Sequence, residues 1–96
     1  MKRKIKISNK LGLHARASSK LVQTTNKFEC DIKLSKDNLT IDAKSILGIL
    51  SLAASFNTEI EVFTEGIDEE LAIIEIEELF NNKFGEESCV RKKLVF

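Results

Sequence analysis

Residues 11–18 read Leu-Gly-Leu-His-Ala-Arg-Ala-Ser (LGLHARAS) and hold the chain's one histidine, His14. Before them, Lys4-Ile5-Lys6-Ile7-Ser8 alternates polar and apolar residues, the period of a half-buried strand. After them, over residues 15–27, Ala17, Leu21 and Val22 fall on one side, with Phe28 following, which is helical spacing. LGLHARAS is therefore the junction where strand period gives way to helix period, with Gly12 as the flexible point of the loop. A strand running through a loop into a helix starts a β-α unit.

The rest of the chain continues that pattern. Cys30, Ile32 and Leu34 alternate with Asp31, Lys33 and Ser35, a second strand. Lys36-Asp37-Asn38 is turn chemistry, and Leu39 and Ile41 mark a short third strand, so the pair predicts a hairpin. Residues 44–56 predict a second helix and residues 59–65 a fourth strand. Gly66 breaks that strand, and Asp68-Glu69-Glu70 opens a third helix with acids at its positive end. This helix runs to about Asn82 and lays Ala72, Ile73, Ile76, Leu79 and Phe80 on one stripe, which Phe84 extends. The order β-α-β-β-α-β-α predicts an α+β open-faced two-layer sandwich, with helices on one face of a four-stranded sheet and water on the other.

Length and composition narrow the function. The chain has 96 residues, one domain's worth, and its 15 basic residues cancel 15 acidic ones. No global field gathers nucleic acid or an anionic membrane. No apolar run approaches the ~20 residues of a membrane-spanning helix, and the basic N-terminus lacks an apolar signal core, so the expected compartment is the cytoplasm. Cys30 and Cys89 lack metal-ligand spacing and there is one histidine, so no metal or cofactor is expected.

His14 raises the sharper question. If a helix begins at Ala15, the ring stands at its N-cap, above backbone N–H groups of Ala15, Arg16 and Ala17 that have no intrahelical partner and suit an anion. Histidine is a poor structural cap. A neutral imidazole is, by contrast, a good nucleophile toward phosphorus. The dipole and Arg16 both favour the neutral ring, and the fork of the guanidinium suits phosphate oxygens. On spacing alone, a surface histidine that merely flanks a helix remains open.

Gly12-Leu13-His14-Ala15-Arg16-Ala17-Ser18 resembles the active-site signature of HPr, the histidine phosphocarrier family of the bacterial phosphoenolpyruvate-dependent phosphotransferase system. Lys44-Ser45-Ile46-Leu47-Gly48-Ile49-Leu50-Ser51-Leu52 resembles that family's regulatory-serine signature, and the likeness covers roughly residues 3–86. Ile7-Ser8-Asn9-Lys10-Leu11-Gly12 and Leu79-Phe80-Asn81-Asn82 are similar to its nitrogen-related branch. The family usually has proline where this chain has Ala17, which leaves a looser first turn but removes no reacting group.

The resemblance implies an HPr-like fold with an antiparallel sheet and three helices, and a carrier rather than an enzyme. Phospho-enzyme I would place a phosphoryl group on His14 (Nδ1 in the family), Arg16 would stabilise it, and IIA proteins or domains would receive it. It also implies phosphorylation of Ser45 by an HPr kinase/phosphorylase and a role in sugar uptake or in carbon and nitrogen regulation. Two other classes compete: a purely regulatory HPr-like protein lacking the active histidine, and a ferredoxin-like small-molecule-binding domain. His14 with Arg16 argues against the first, and the two signatures against the second.

The second helix carries its own signal. Ile49, Leu52, Ala53 and Phe56 share one arc and face the sheet, whereas Ile46, Leu47 and Leu50 fall on another and cannot all be buried with them. That trio reads as a partner-docking patch beside Ser45, whose plain structural role is an N-cap. Leu71 and Ile74 lie off the third helix's stripe and are assigned no role; Cys30 reads as a small core residue. Domain bounds are set at 1–88, with 89–96, basic and apolar after Glu86-Glu87, as a flexible C-terminal extension, and the protein is expected to be a monomer that neither binds nucleic acid nor inserts into a membrane.

Overall fold

The computed structural model describes residues 1–86. The expected extension, including Cys89, lies outside the described residues, as does the end of the expected domain. The elements are β1 (Lys2–Lys6), α1 (Ala15–Thr25), β2 (Asp31–Lys36), β3 (Leu39–Asp42), α2 (Ile46–Ser51), β4 (Glu59–Glu65) and α3 (Glu69–Asn81), followed by a 3-10 turn over Lys83–Gly85.

The sheet is antiparallel throughout, in the order β1-β4-β2-β3. Its register follows the alternation in the sequence. Ile5 faces Ile60 and Leu34 faces Val62, all four buried beneath the helices. On the open face Lys4 stands opposite Glu61 and Lys6 opposite Glu59, so opposite charges line the side left to water. The hairpin closes on Asp37 and Asn38, both in the left-handed region (φ 48° and 68°), the turn whose twist matches the flanking strands and which these residues tolerate.

Ala17 and Leu21 from α1, Ile49 from α2, and Ala72, Ile73, Ile76 and Phe80 from α3 cover the other face. The stripe on α3 is as its spacing predicts, with Leu79 half-buried at its edge and Phe84 buried beyond its end. Cys30 is buried in the core.

Three elements differ in their bounds from expectation. The second helix spans only Ile46–Ser51 instead of residues 44–56. It starts late because the Lys44 amide is taken by the Asp42 carboxylate and Ser45 is extended. It stops early because Ala53 turns left-handed (φ 50°) and the Ala54 carbonyl accepts from Leu13 across the molecule. As a result Ala53 and Phe56, expected against the sheet, are exposed, and Ala54 is buried instead. The first helix ends at Thr25, whose hydroxyl donates to the carbonyls of Val22 and Ala43. The first strand is displaced toward the N-terminus, and Ile7 bonds instead to Asn57 and Thr58.

Candidate functional site

His14 is the N-cap of α1, with extended backbone (φ −80°, ψ −177°). The first i→i−4 bond of the helix runs from the Ser18 amide to the His14 carbonyl. The amides of Ala15, Arg16 and Ala17 therefore open the helix mouth without such partners. Arg16 N–H donates to His14 Nδ1 at 3.3 Å, a long and weak bond that turns this ring nitrogen toward the mouth. The Arg16 side chain is exposed and makes no hydrogen bond or ion pair among the described residues. The structure thus brings together His14, Arg16 and the three amides that the sequence singled out.

Gly12 shapes the loop beneath the ring. Its φ is +68°, and a Cβ there would meet the Ala54 carbonyl oxygen at 2.6 Å and Ser55 Cα at 2.8 Å. Only glycine lets the two backbones approach this closely. Leu13 N–H then donates to the Ala54 carbonyl at 2.9 Å, tying the histidine loop to the segment that follows α2.

The other ring nitrogen has a partner that sequence reasoning missed. His14 Nε2 lies 2.9 Å from Glu86 Oε2, and the same oxygen accepts from Asn9 Nδ2 at 2.8 Å. The amide of Asn9, fully buried, also donates to the Gly12 carbonyl at 2.8 Å. Burial of Glu86 works against its charge, but the hydrogen bonds from His14 and Asn9 and the adjacent imidazole outweigh it and hold the carboxyl below the ordinary glutamate value. Glu86 is separated from His14 by 72 positions, so no local pattern could pair them.

Its delivery is structurally costly. Lys83, Phe84 and Gly85 all have positive φ (56°, 53° and 78°). Left-handed backbone costs roughly 1–2 kcal/mol per non-glycine residue. The turn is held by the buried Phe84 ring, set edge-on to Phe80 with centroids 5.0 Å apart, and by Lys20 Nζ, which donates to the Phe84 carbonyl at 2.7 Å.

Ser45 is the N-cap of α2, its Oγ accepting from the Gly48 amide at 3.1 Å. Beside it Ile46, Leu47 and Leu50 are 42%, 80% and 37% exposed, while Ile49 is buried. Among the described residues no cluster of side chains suits a metal ion, and no helix is long and apolar enough to cross a membrane.

The PTS HPr component phosphorylation site family matches residues 1–82, and the chain belongs to this family of phosphocarrier proteins. It is a carrier, not a catalytic enzyme. It is 46% identical over 88 residues to the phosphocarrier protein HPr of Xylella fastidiosa, covering 92% of this chain and 99% of that one. The crystal structure of HPr-C-His from Thermoanaerobacter tengcongensis is similar with a TM-score of 0.86 and 45% identity, over 88% of this chain and 96% of that chain. An HPr dimer from the same organism is similar with a TM-score of 0.73 and 47% identity, over 84% of this chain and 93% of that chain.

Proposed function

We propose that His14 Nδ1 accepts a phosphoryl group from phospho-enzyme I and passes it to IIA proteins or domains of the phosphotransferase system in the cytoplasm. The observation that carries this reading is the placement of Nδ1 at the mouth of α1, on the Arg16 amide. A phosphoryl group on Nδ1 meets the amides of Ala15, Arg16 and Ala17 and the positive end of the helix dipole. The guanidinium of Arg16, without a partner among the described residues, folds over its oxygens and makes charge-assisted hydrogen bonds. The group transfers between partners of similar energy, so positioning and charge stabilisation suffice.

Ile46, Leu47 and Leu50 form the surface on which enzyme I and the IIA partners dock. The bond between the segment after α2 and the histidine loop supports this reading, because it ties the patch-bearing part of the chain to the loop that carries the ring. Phosphorylation of Ser45 by an HPr kinase/phosphorylase puts two negative charges next to that surface and weakens docking. The protein acts as a monomer, and its input is sugar uptake, carbon or nitrogen status.

The test is to mix the protein with enzyme I and labelled phosphoenolpyruvate. Acid-labile, base-stable label is expected on the wild type and none on His14→Ala, with the fold retained because the backbone bonds Leu13 to Ala54 and Ser18 to His14 do not involve the ring. Label on His14→Ala overturns the reading.

A further inference from the structure

We propose that Glu86 is a positioning residue for His14, its carboxylate holding Nε2–H so that Nδ1 is left unprotonated at the helix mouth, its lone pair held only by the weak bond from Arg16 N–H, and the charge that phosphorylation creates on the ring is neutralised in place. This rests on the reading that His14 is the phosphoryl acceptor.

The geometry carries it. Glu86 Oε2 accepts from two donors at once, His14 Nε2 at 2.9 Å and Asn9 Nδ2 at 2.8 Å. Asn9's other donor goes to the Gly12 carbonyl, in the loop that carries the ring. Both of its partners are acceptors, which fixes the orientation of the amide. Its Oδ1 is buried with no partner among the described residues, so the side chain is kept for its two donated bonds. The carboxylate is thus itself oriented by a buried group, and it orients the imidazole. A carboxylate on one ring nitrogen sets the tautomer and leaves the lone pair on the other. The left-handed turn at residues 83–85, pinned by Phe84 and Lys20, is what brings Glu86 to this place.

The chemistry needs such a group. As Nδ1 attacks phosphorus, the N–P bond of the donor breaks and its electron pair stays with the donor nitrogen. The proton on Nε2 does not move. The product ring therefore bears phosphorus on Nδ1, hydrogen on Nε2 and one positive charge. Glu86 faces that charge on the Nε2 side, and Arg16 faces the phosphoryl oxygens on the other. Of the remaining elements around the ring, the segment over residues 52–58 brings no charged residue. The cations nearby in the chain are Lys10 in the loop itself, Lys20, engaged with the Phe84 carbonyl, and Lys83, which also has a partner.

Glu86→Gln separates charge from shape, because its amide oxygen still accepts from Nε2 and Asn9. The experiment follows His14 by nitrogen-15 NMR in unphosphorylated protein, then measures the phosphorylated fraction at equilibrium with enzyme I and phosphoenolpyruvate. Exchanging a charge-assisted for a neutral hydrogen bond is expected to reduce the preference for the Nε2–H tautomer roughly fivefold. The ratio of phosphorylated to unphosphorylated protein at equilibrium is expected to fall by a similar factor, about fivefold, for the same reason. Glu86→Ala is expected to show both effects and a broadened ring resonance. Glu70→Gln, on the outer face of α3, is the control and should match wild type. If Glu86→Gln shows the tautomer balance and the phosphorylation of wild type, the inference is wrong. If wild type takes no label on His14, the functional reading fails instead, and the tautomer balance alone still decides whether Glu86 orients the ring.

Discussion

The amide of Leu13 donates to the carbonyl of Ala54 at 2.9 Å, which makes the histidine loop and the segment leaving α2 one hydrogen-bonded unit. Gly12 is the residue that permits it, and Gly12→Ala drives a Cβ into the Ala54 carbonyl at 2.6 Å. The left-handed φ and the overlap together should cost about 2–4 kcal/mol. Urea unfolding measures the loss, and an unchanged midpoint contradicts the close approach.

Arg16→Ala should slow phosphoryl transfer in both directions without abolishing it, since Arg16 stabilises the phosphate but forms no bond to phosphorus. Its melting temperature should stay within a degree or so of wild type, because the side chain is exposed. Rapid-quench kinetics with enzyme I provide the check; unchanged rates remove Arg16 from the site.

The patch and the serine are separable from the fold. Leu47 is 80% exposed, so Leu47→Glu should leave the melting temperature unchanged while slowing transfer from enzyme I. Ser45→Asp keeps a cap for Gly48 and should do the same, because an unpaired charge in an apolar contact costs ~2 kcal/mol or more, about thirtyfold in rate. Ser45→Ala should instead lose about 1 kcal/mol of stability as the cap disappears. Thermal melts and transfer rates measured together distinguish the three; normal transfer in both charged variants contradicts a docking role.

Much of this was legible because it is periodic. The strands, the hairpin turn, the α3 stripe and the start of α1 each show in a window of a few residues. His14 and Arg16 were legible because they sit two positions apart in an unusual place for histidine. What local pattern could not show was any feature set by distant backbone. The length of α2 depends on Ala54 being claimed by Leu13, and helical periodicity alone carried the expectation on to Phe56. Glu86 reads as one of two acids near the end of the chain until a left-handed turn places it on Nε2.

Asp68 gives the acid side of stability a specific source. Its carboxylate accepts the Glu29 amide and the Cys30 amide, each at 2.9 Å. These bonds, that from Glu29 first, hold its carboxyl below the ordinary aspartate value against a smaller opposing effect of burial. A carboxyl whose folded value is depressed stabilises the fold above its unfolded value and loses that contribution as pH falls through the folded one. Asp68→Asn should therefore be less stable at neutral pH and show a flatter decline below about pH 4. Denaturant unfolding across that range decides it, and parallel curves contradict the role. Within the same cluster, burial and the Asp68 carboxylate push the Cys30 thiol up to about 11, so native Cys30 should resist alkylation at neutral pH.

The central claim is that phosphorus bonds to His14 at Nδ1. Protein labelled with nitrogen-15 histidine, phosphorylated through enzyme I and phosphoenolpyruvate, answers it in one phosphorus-31 spectrum. The account predicts a single phosphoramidate resonance with one-bond coupling to Nδ1, while Nε2 keeps its proton. A coupling to Nε2, or a phosphorus resonance without coupling to histidine nitrogen, contradicts it.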